Sequence, residues 1–275
     1  MQNLKEAPIG VFDSGVGGLT VAREIMRQIP AERIVYFGDT ARVPYGSKST
    51  DTLIRYTRQI IRFLKTRGVK AIVVACNTAS AVALEAVRDE LDIPIIGVVR
   101  PGAKVAVEAT KNSKIGIIGT ETTVNSGMYV KLIQELLPRA EVIGKACPLF
   151  VPLVEEGWTK DSVTEEVARR YLADLQKSEI DTLILGCTHY PLLRPIIQNV
   201  MGDSVTLIDS GAETISEVST ILDYFNLAEL SKNKEVSERK FFTTGSTHMF
   251  NDIASQWLGN EALDIEHIKL GTEKI

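Results

Sequence analysis

Residues 71–78 read Ala71-Ile72-Val73-Val74-Ala75-Cys76-Asn77-Thr78, and residues 182–189 read Thr182-Leu183-Ile184-Leu185-Gly186-Cys187-Thr188-His189. Each is a short run of small, β-branched and aliphatic residues that stops at a cysteine and continues into polar ones. Runs this short and this uniformly apolar predict strands buried on both faces, as in a parallel sheet. Working outward from the first run, Ile9–Asp13 and Arg33–Phe37 read as strands. Between them Leu19, Ala22, Ile25, Met26 and Ile29 recur at helical spacing. Leu53, Ile60, Ile61 and Leu64 mark a second helix that starts near Thr50 or Asp51. Ala79–Leu91 reads as a third helix and Ile93–Val98 as a further strand. Strand–helix alternation predicts an α/β fold with a mostly parallel sheet flanked by helices.

The pattern then starts again. Ile115-Gly116-Ile117-Ile118-Gly119-Thr120 is similar to Ile9-Gly10-Val11-Phe12-Asp13-Ser14, and the 182–188 run is similar to the 71–77 run in the same order. The expectation is two similar α/β domains with a site in the cleft between them. Val205–Asp209 reads as a strand and Glu213–Phe225 as a helix. The polar stretch Ser231–Arg239 follows, then a strand at Lys240–Thr244, a helix and a last strand near Ile265–Ile268. These late pieces are too few for a third domain and are expected to complete the first one. The division is therefore 1–97 plus 208–275 for the first domain and 98–207 for the second. The charge run around Lys232–Lys240 reads as a solvated loop.

Composition narrows the function classes. With 44% hydrophobic and 24% charged residues, the chain can bury a core and is not a disordered segment. A net charge of -4 argues against a nucleic-acid surface. Three cysteines, an odd number without CxxC spacing, form neither a disulfide framework nor a zinc motif. No HExxH occurs, so no metal is expected. No apolar run approaches the roughly 18 residues that span a bilayer. The start lacks the shape of a signal peptide. The expectation is a cytoplasmic protein, where thiols stay reduced.

In open α/β sheets, ligands bind at the carboxyl ends of the strands. Asp13 and Ser14, Asp39, Cys76-Asn77-Thr78, Thr120 and Cys187-Thr188-His189 fall at such ends. Cys76 and Cys187 are the strongest pair, each at the end of an apolar strand and ahead of a helix. A helix N-terminus favours the thiolate, which predicts easily ionised thiols. The plainer alternative is two buried small hydrophobes. Cys147 lacks polar neighbours and is assigned to packing. His189 and Asp13 are candidate proton partners for Cys187 and Cys76; Asp13 is equally read as a helix cap. The loop Asp13-Ser14-Gly15-Val16-Gly17-Gly18 is not the dinucleotide fingerprint, because Thr20 stands where a glycine is required. Its glycines admit either close backbone approach or a bare tight turn. The Tyr45 and Gly46 amides of the turn Val43-Pro44-Tyr45-Gly46 are placed to hold a carboxylate.

Together these stretches resemble the glutamate racemases, cofactor-independent enzymes of the aspartate/glutamate racemase superfamily. The matching runs are 9–19, Gly38-Asp39 with 43–46, Ala75-Cys76-Asn77-Thr78-Ala79 and Gly186-Cys187-Thr188-His189-Tyr190-Pro191. The resemblance implies L-/D-glutamate interconversion without a cofactor, supplying D-glutamate for peptidoglycan, in a protein that commonly forms homodimers. It implies Cys76 and Cys187 as the acid/base pair, Cys76 acting on D-glutamate and Cys187 on L-glutamate, with Asp13 and His189 as assistants. It implies Ser14, Pro44, Tyr45, Gly46, Asn77, Thr78, Thr120, Thr123 and Thr188 as substrate shell. Asp39 and Glu155 are implied as further assistants, with Glu156 competing for the register of Glu155. An aspartate racemase is the nearest alternative. From another class, Asp13-Ser14-Gly15 can be read as a phosphate loop of a sugar- or acetate-kinase-like ATPase. A catalytically idle binding protein on this scaffold is a third reading.

Overall fold

The computed structural model describes residues 4–229, 238–259 and 263–271. The chain opens with β1 (Ile9–Asp13), α1 (Leu19–Gln28), β2 (Ile34–Gly38), α2 (Thr50–Thr66), β3 (Ala71–Val74), α3 (Asn77–Val82), α4 (Leu84–Arg88) and β4 (Ile95–Gly97). It continues through α5 (Val99–Ala109), β5 (Lys114–Gly119), α6 (Glu121–Asn125), α7 (Met128–Leu136), β6 (Glu141–Ala146), α8 (Phe150–Glu155) and α9 (Ser162–Lys177). Then come β7 (Thr182–Gly186), α10 (Arg194–Met201), β8 (Thr206–Asp209), α11 (Ser210–Tyr224), β9 (Arg239–Thr243), α12 (Thr247–Leu258) and β10 (Asp264–His267).

The strands form two sheets. The first has the order β10-β9-β2-β1-β3-β4 and the second β6-β5-β7-β8. Every pairing is parallel. The segment β2-β1-β3-β4 has the same connectivity as β6-β5-β7-β8, so the recurrence in the sequence is a recurrence of topology. β3 and β7 occupy equivalent places, and Cys76 and Cys187 follow them. Ile72, Val73 and Val74 are fully buried, and each side chain so buried contributes about 1.5–3 kcal/mol. The strand leading to Cys76 is thus firmly anchored.

Helices cover both faces of each sheet, and four apolar clusters fill the gaps between them. Two partly buried side chains each pack against two of these clusters. Val82 touches one beneath each sheet, and so does Trp257 of α12.

Several local expectations change. The helix expected over Ala79–Leu91 starts at Asn77 and breaks at Ala83, where φ −111° departs from helical geometry. The two pieces rest on β4, where Gly97 leaves room for Ser80 and Leu84; a Cβ there would lie 2.1 Å from Ser80 Oγ. Cys187 does not run straight into a helix. A short 3-10 turn, Tyr190–Leu193, separates it from α10. β6 is an edge strand with no fully buried residue. Of the polar stretch Ser231–Arg239, residues 231–237 lie outside the described residues. No helix among the described residues is long and apolar enough to cross a membrane.

Candidate active site

The carboxyl ends of β1, β3, β5 and β7 meet at one cleft of about 440 Å³. Residues that follow strands of the first sheet form one wall: Ser14, the 43–47 loop, Cys76, Asn77 and Thr78. Residues that follow strands of the second form the other: Thr120, Glu121, the 148–155 segment, Cys187, Thr188 and His189. Of the catalytic and substrate-shell residues expected from the sequence, all line this cleft except Asp13 and Thr123, which stand behind it; the further candidate Asp39 does not line it either. Gly15 and Val43 join them from the two loops read in the sequence, while Ser47, Glu121, Pro148, Val151 and Pro152 also line it and were not singled out. The Pro148–Pro152 wall follows β6, whose half-exposed sequence carried no buried-strand signal.

The glycine loop has a clear purpose in this arrangement. A Cβ on Gly17 would fall 2.2 Å from Thr188 Oγ1 and 2.5 Å from His189 Cε1. The loop is therefore bare so that it can dock against the Cys187-Thr188-His189 turn of the other sheet. Thr20 reinforces the contact by donating its hydroxyl to Thr188 O at 3.0 Å. Tyr36 fixes the loop from below through its hydroxyl bond to Gly15 O at 2.9 Å.

Around Cys76, the sulfur lies 3.7 Å from Ser14 Oγ and caps α3 by accepting the Ala79 N–H at 3.5 Å. The thiol is nevertheless not easily ionised. Burial pushes it up to about 12, the negative charge of Asp13 adds to the effect, and the Ala79 amide opposes it. The helix-terminus expectation fails here because a six-residue helix offers little against full desolvation. Asp13 is itself fully buried. Its Oδ2 accepts the Gly15 N–H at 2.9 Å, whereas Oδ1 has no hydrogen-bond partner among the described residues. Burial raises its carboxyl above the usual range, against the opposing charge of His189 and nearby backbone amides. A carboxylate and a thiol, both with raised proton affinity, thus sit together behind one wall.

The second thiol has a different neighbour. Cys187 Sγ lies 3.8 Å from His189 Nδ1, and His189 Nε2 lies 3.0 Å from Glu155 Oε1. Burial works against a charge on this imidazole. The bonds to Cys187 and Glu155 outweigh it and lift His189 to about 10. Glu155 at the end of α8 makes this contact, which resolves the choice between it and Glu156. Cys147 is fully buried in the same apolar cluster as Cys187, and burial pushes its thiol up to about 12. It does not line the cleft.

Hydroxyls and amides complete the walls. Thr78 Oγ1 lies 2.9 Å from Thr120 Oγ1 and 3.2 Å from Thr123 Oγ1, which joins Thr120 at 2.9 Å. Thr123 therefore supports the other two from behind. Asn77 commits both amide hydrogens to Tyr129 Oη and Ser210 Oγ, at 2.9 and 3.0 Å, leaving its carbonyl oxygen and backbone N–H for the cleft. Asp39 lies under the 43–47 loop rather than in the cleft. Its carboxylate accepts from Tyr45 Oη, from Arg42 Nε at 2.6 Å and from Thr244 Oγ1 at 2.9 Å. Gly46 packs against Thr120, and its carbonyl accepts the Thr122 hydroxyl at 2.8 Å. Among the described residues, no lysine or arginine lines the cleft.

Two parallel α/β units of one strand order, closing on a cleft with a thiol in each wall, define an enzyme built to reach a small substrate from both sides. The chain belongs to the Asp/Glu/Hydantoin racemase family, whose model matches residues 9–218. It is 55% identical to a glutamate racemase of Carnobacterium over 98% of this chain and 100% of that one. A crystal structure of a glutamate racemase isoform from Bacillus anthracis superposes with a TM-score of 0.93, at 45% identity, covering 97% of this chain and 98% of the other. The glutamate racemase of Francisella tularensis, solved in complex with D-glutamate, matches with a TM-score of 0.90 at 36% identity, covering 98% and 100%.

Proposed function

We infer that this enzyme interconverts L- and D-glutamate by passing the α-proton between two cysteines. The observation that carries the reading is the placement of Cys76 and Cys187. They follow equivalent strands of two similar sheets and line one cleft from its two walls. Its relatives' activity supports the choice of glutamate. Racemisation removes a proton from one face of the α-carbon and returns one to the other. Two bases achieve this without either travelling around the substrate.

Each thiol in this reading has its own proton manager. Cys76 works with Asp13, and Cys187 works with the His189–Glu155 pair. Cys76 takes the proton of D-glutamate and Cys187 that of L-glutamate. Cys76 holds its proton, because burial and Asp13 both favour the thiol. The substrate ammonium, held at Ser14 in front of the buried Asp13 carboxylate, would offset that negative charge and ease ionisation.

The α-carbon is a weak acid, so charge developing on the carboxylate must be met by preorganised donors. The Thr78 and Thr188 hydroxyls and the amide at Asn77 fill that role. Tyr45 and Gly46 amides receive the side-chain carboxylate, with Asp39 holding the Tyr45 ring in place. With no cationic side chain in the wall except His189, selectivity rests on hydroxyls and amides at fixed positions.

We assign D-glutamate supply for peptidoglycan, a cytoplasmic location and a homodimeric state to the chain on the same family grounds. We also propose the division 1–97 plus 208–275 and 98–207, with its second boundary moved past Asp209 so that β8 stays whole in the second sheet. Sedimentation tests the homodimer. The activity itself is tested by circular dichroism of purified enzyme with L-glutamate, D-glutamate and L-aspartate in turn. The signal should decay to zero from both glutamate enantiomers and stay constant with aspartate. Turnover of aspartate and not glutamate would overturn the assignment.

A further inference from the structure

Trp257 lies far along the chain from either cysteine, on α12 of the first unit. Its ring nevertheless meets the ring of His189 edge to face, with centroids 5.9 Å apart and planes at 87°. It also packs against the main apolar cluster of the second unit as well as that of its own. Arg23 on α1 donates a 3.5 Å bond to its carbonyl, tying α1 to the end of α12.

The His189 imidazole is held at both nitrogens and flanked on two further sides, with the cleft on its open side. Cys187 faces Nδ1 and Glu155 faces Nε2. The bare Gly17 backbone lies close to the ring, leaving no room for a Cβ, and Trp257 meets it edge to face. Two of these contacts, Gly17 and Trp257, belong to the first unit, whereas His189 belongs to the second. The ring orientation that sets the Nδ1–Sγ distance therefore depends on how the C-terminal helix docks.

We propose that Trp257 is a positioning residue for the proton transfer at Cys187, holding the His189 ring at the angle that keeps Nδ1 on the sulfur. Aromatic edge-to-face contacts contribute beyond their buried area and fix geometry. Small misplacements of an acid–base group are costly in rate. The effect falls mainly on one half of the reaction, because Cys187 meets His189 directly, whereas Cys76 lies beside Ser14 and senses His189 only through the charge of Asp13. The proposal rests on the reading of Cys187 and His189 as one proton-transfer pair.

Because the equilibrium constant between enantiomers is one, racemisation gives equal kcat/KM in the two directions and hides such asymmetry. Irreversible loss of HCl from 3-chloroglutamate exposes it, since each enantiomer needs only one thiolate to take the α-proton as chloride leaves the β-carbon. Trp257→Ala should slow elimination from the L enantiomer by about tenfold or more and leave the D enantiomer within about twofold. Trp257→Phe, which keeps a ring, should restore most of the loss. Equal slowing of both enantiomers, or no slowing of either, would overturn the proposal.

A second readout needs no substrate and so separates this proposal from the assigned activity. The chain has two tryptophans, and Trp158 lies outside the cleft lining. In Trp158→Phe, emission reports Trp257 alone, and a charged imidazole beside it quenches. The charged and titratable groups that share this environment are Cys187, Glu155 and Asp13 around the imidazole and Arg23 of α1 at the Trp257 carbonyl. Emission should rise through an alkaline step that vanishes when His189→Asn is added. Superimposable titrations with and without His189 would show that the two rings do not communicate.

Discussion

Gly17→Ala is the substitution that this structure speaks to most directly. The added methyl would fall 2.2 Å from Thr188 Oγ1, 2.5 Å from His189 Cε1 and 2.6 Å from its Nδ1, where ordinary contact begins at 3.4 Å. Something must move by about 1 Å. Thr188 can turn its hydroxyl, but the imidazole can swing toward the cleft only by leaving its partners. It is pinned by Cys187, Glu155 and Trp257. The turn that carries Cys187 must therefore back away from the glycine loop. Overpacking of this kind costs about 1–3 kcal/mol of stability, which a folded domain of this size survives. The rate is far more sensitive, because a shift of about 1 Å in a catalytic group can lower turnover about a hundredfold. The expected outcome in a circular-dichroism racemisation assay is a fall in kcat of about tenfold to a hundredfold, with a thermal midpoint lowered by only a few degrees. Wild-type kcat in a folded Gly17→Ala enzyme would refute the argument that the bare glycine surface sets the position of Cys187 and His189.

Three further outcomes follow from the same geometry. His189 holds its proton to about 10 in the fold against an ordinary 6.5, so its stabilising contribution is full below 6.5 and lost as pH rises towards 10. Cys76, raised from 9.0 to about 12, acts in the same direction at higher pH. The thermal midpoint should therefore fall between pH 7 and 10, less steeply in His189→Asn; parallel curves for the two proteins would contradict this. Thr120→Val removes the hydroxyl that bonds Thr78 and caps α6 by accepting the Thr123 N–H. It should cost about 0.5–2 kcal/mol by denaturant melting and raise the KM for glutamate, with Thr120→Ser restoring both. Lys70 and Glu32 form a buried ion pair at the amino end of the first sheet, with side chains 0% and 4% exposed. Lys70→Met should cost about 3–5 kcal/mol in an unfolding titration while leaving kcat unchanged, since the pair is remote from the cleft.

The fold was legible because its deciding strands are buried on both faces. Runs such as Ala71–Val74 and Thr182–Gly186 admit little else, and their ends carry the two cysteines. β6 was poorly legible, since an edge strand needs no apolar run and Glu141–Ala146 has none. The cleft wall that follows it was missed for the same reason. The break at Ala83 was hidden by a stretch of small residues that reads as one helix, and Gly97 on the neighbouring strand is what accommodates it.

The electrostatics were legible in their partners but not in their sign. Helix-capping geometry at Cys76 is present, yet desolvation outweighs it, and burial of that kind is a property of the assembled fold. Asp13 was placed in the site but stands behind it, because its carboxylate turns to the amides of its own loop. Glu155 was ambiguous against Glu156 until α8 gave the register. The approach of Trp257 to His189 joins residues of different units, and no local pattern encodes such a meeting.

The claim at the centre of this account is that two different groups remove and return the α-proton. It is tested most directly by racemising L-glutamate in D2O and following the α-position of each enantiomer by proton NMR after chiral separation. At early times the D-glutamate formed should carry deuterium while the remaining L-glutamate keeps its proton. The reverse pattern is expected from D-glutamate. Deuterium appearing at equal rates in starting enantiomer and product would mean that a single base serves both faces, and the assignment of Cys76 and Cys187 to opposite faces would be wrong.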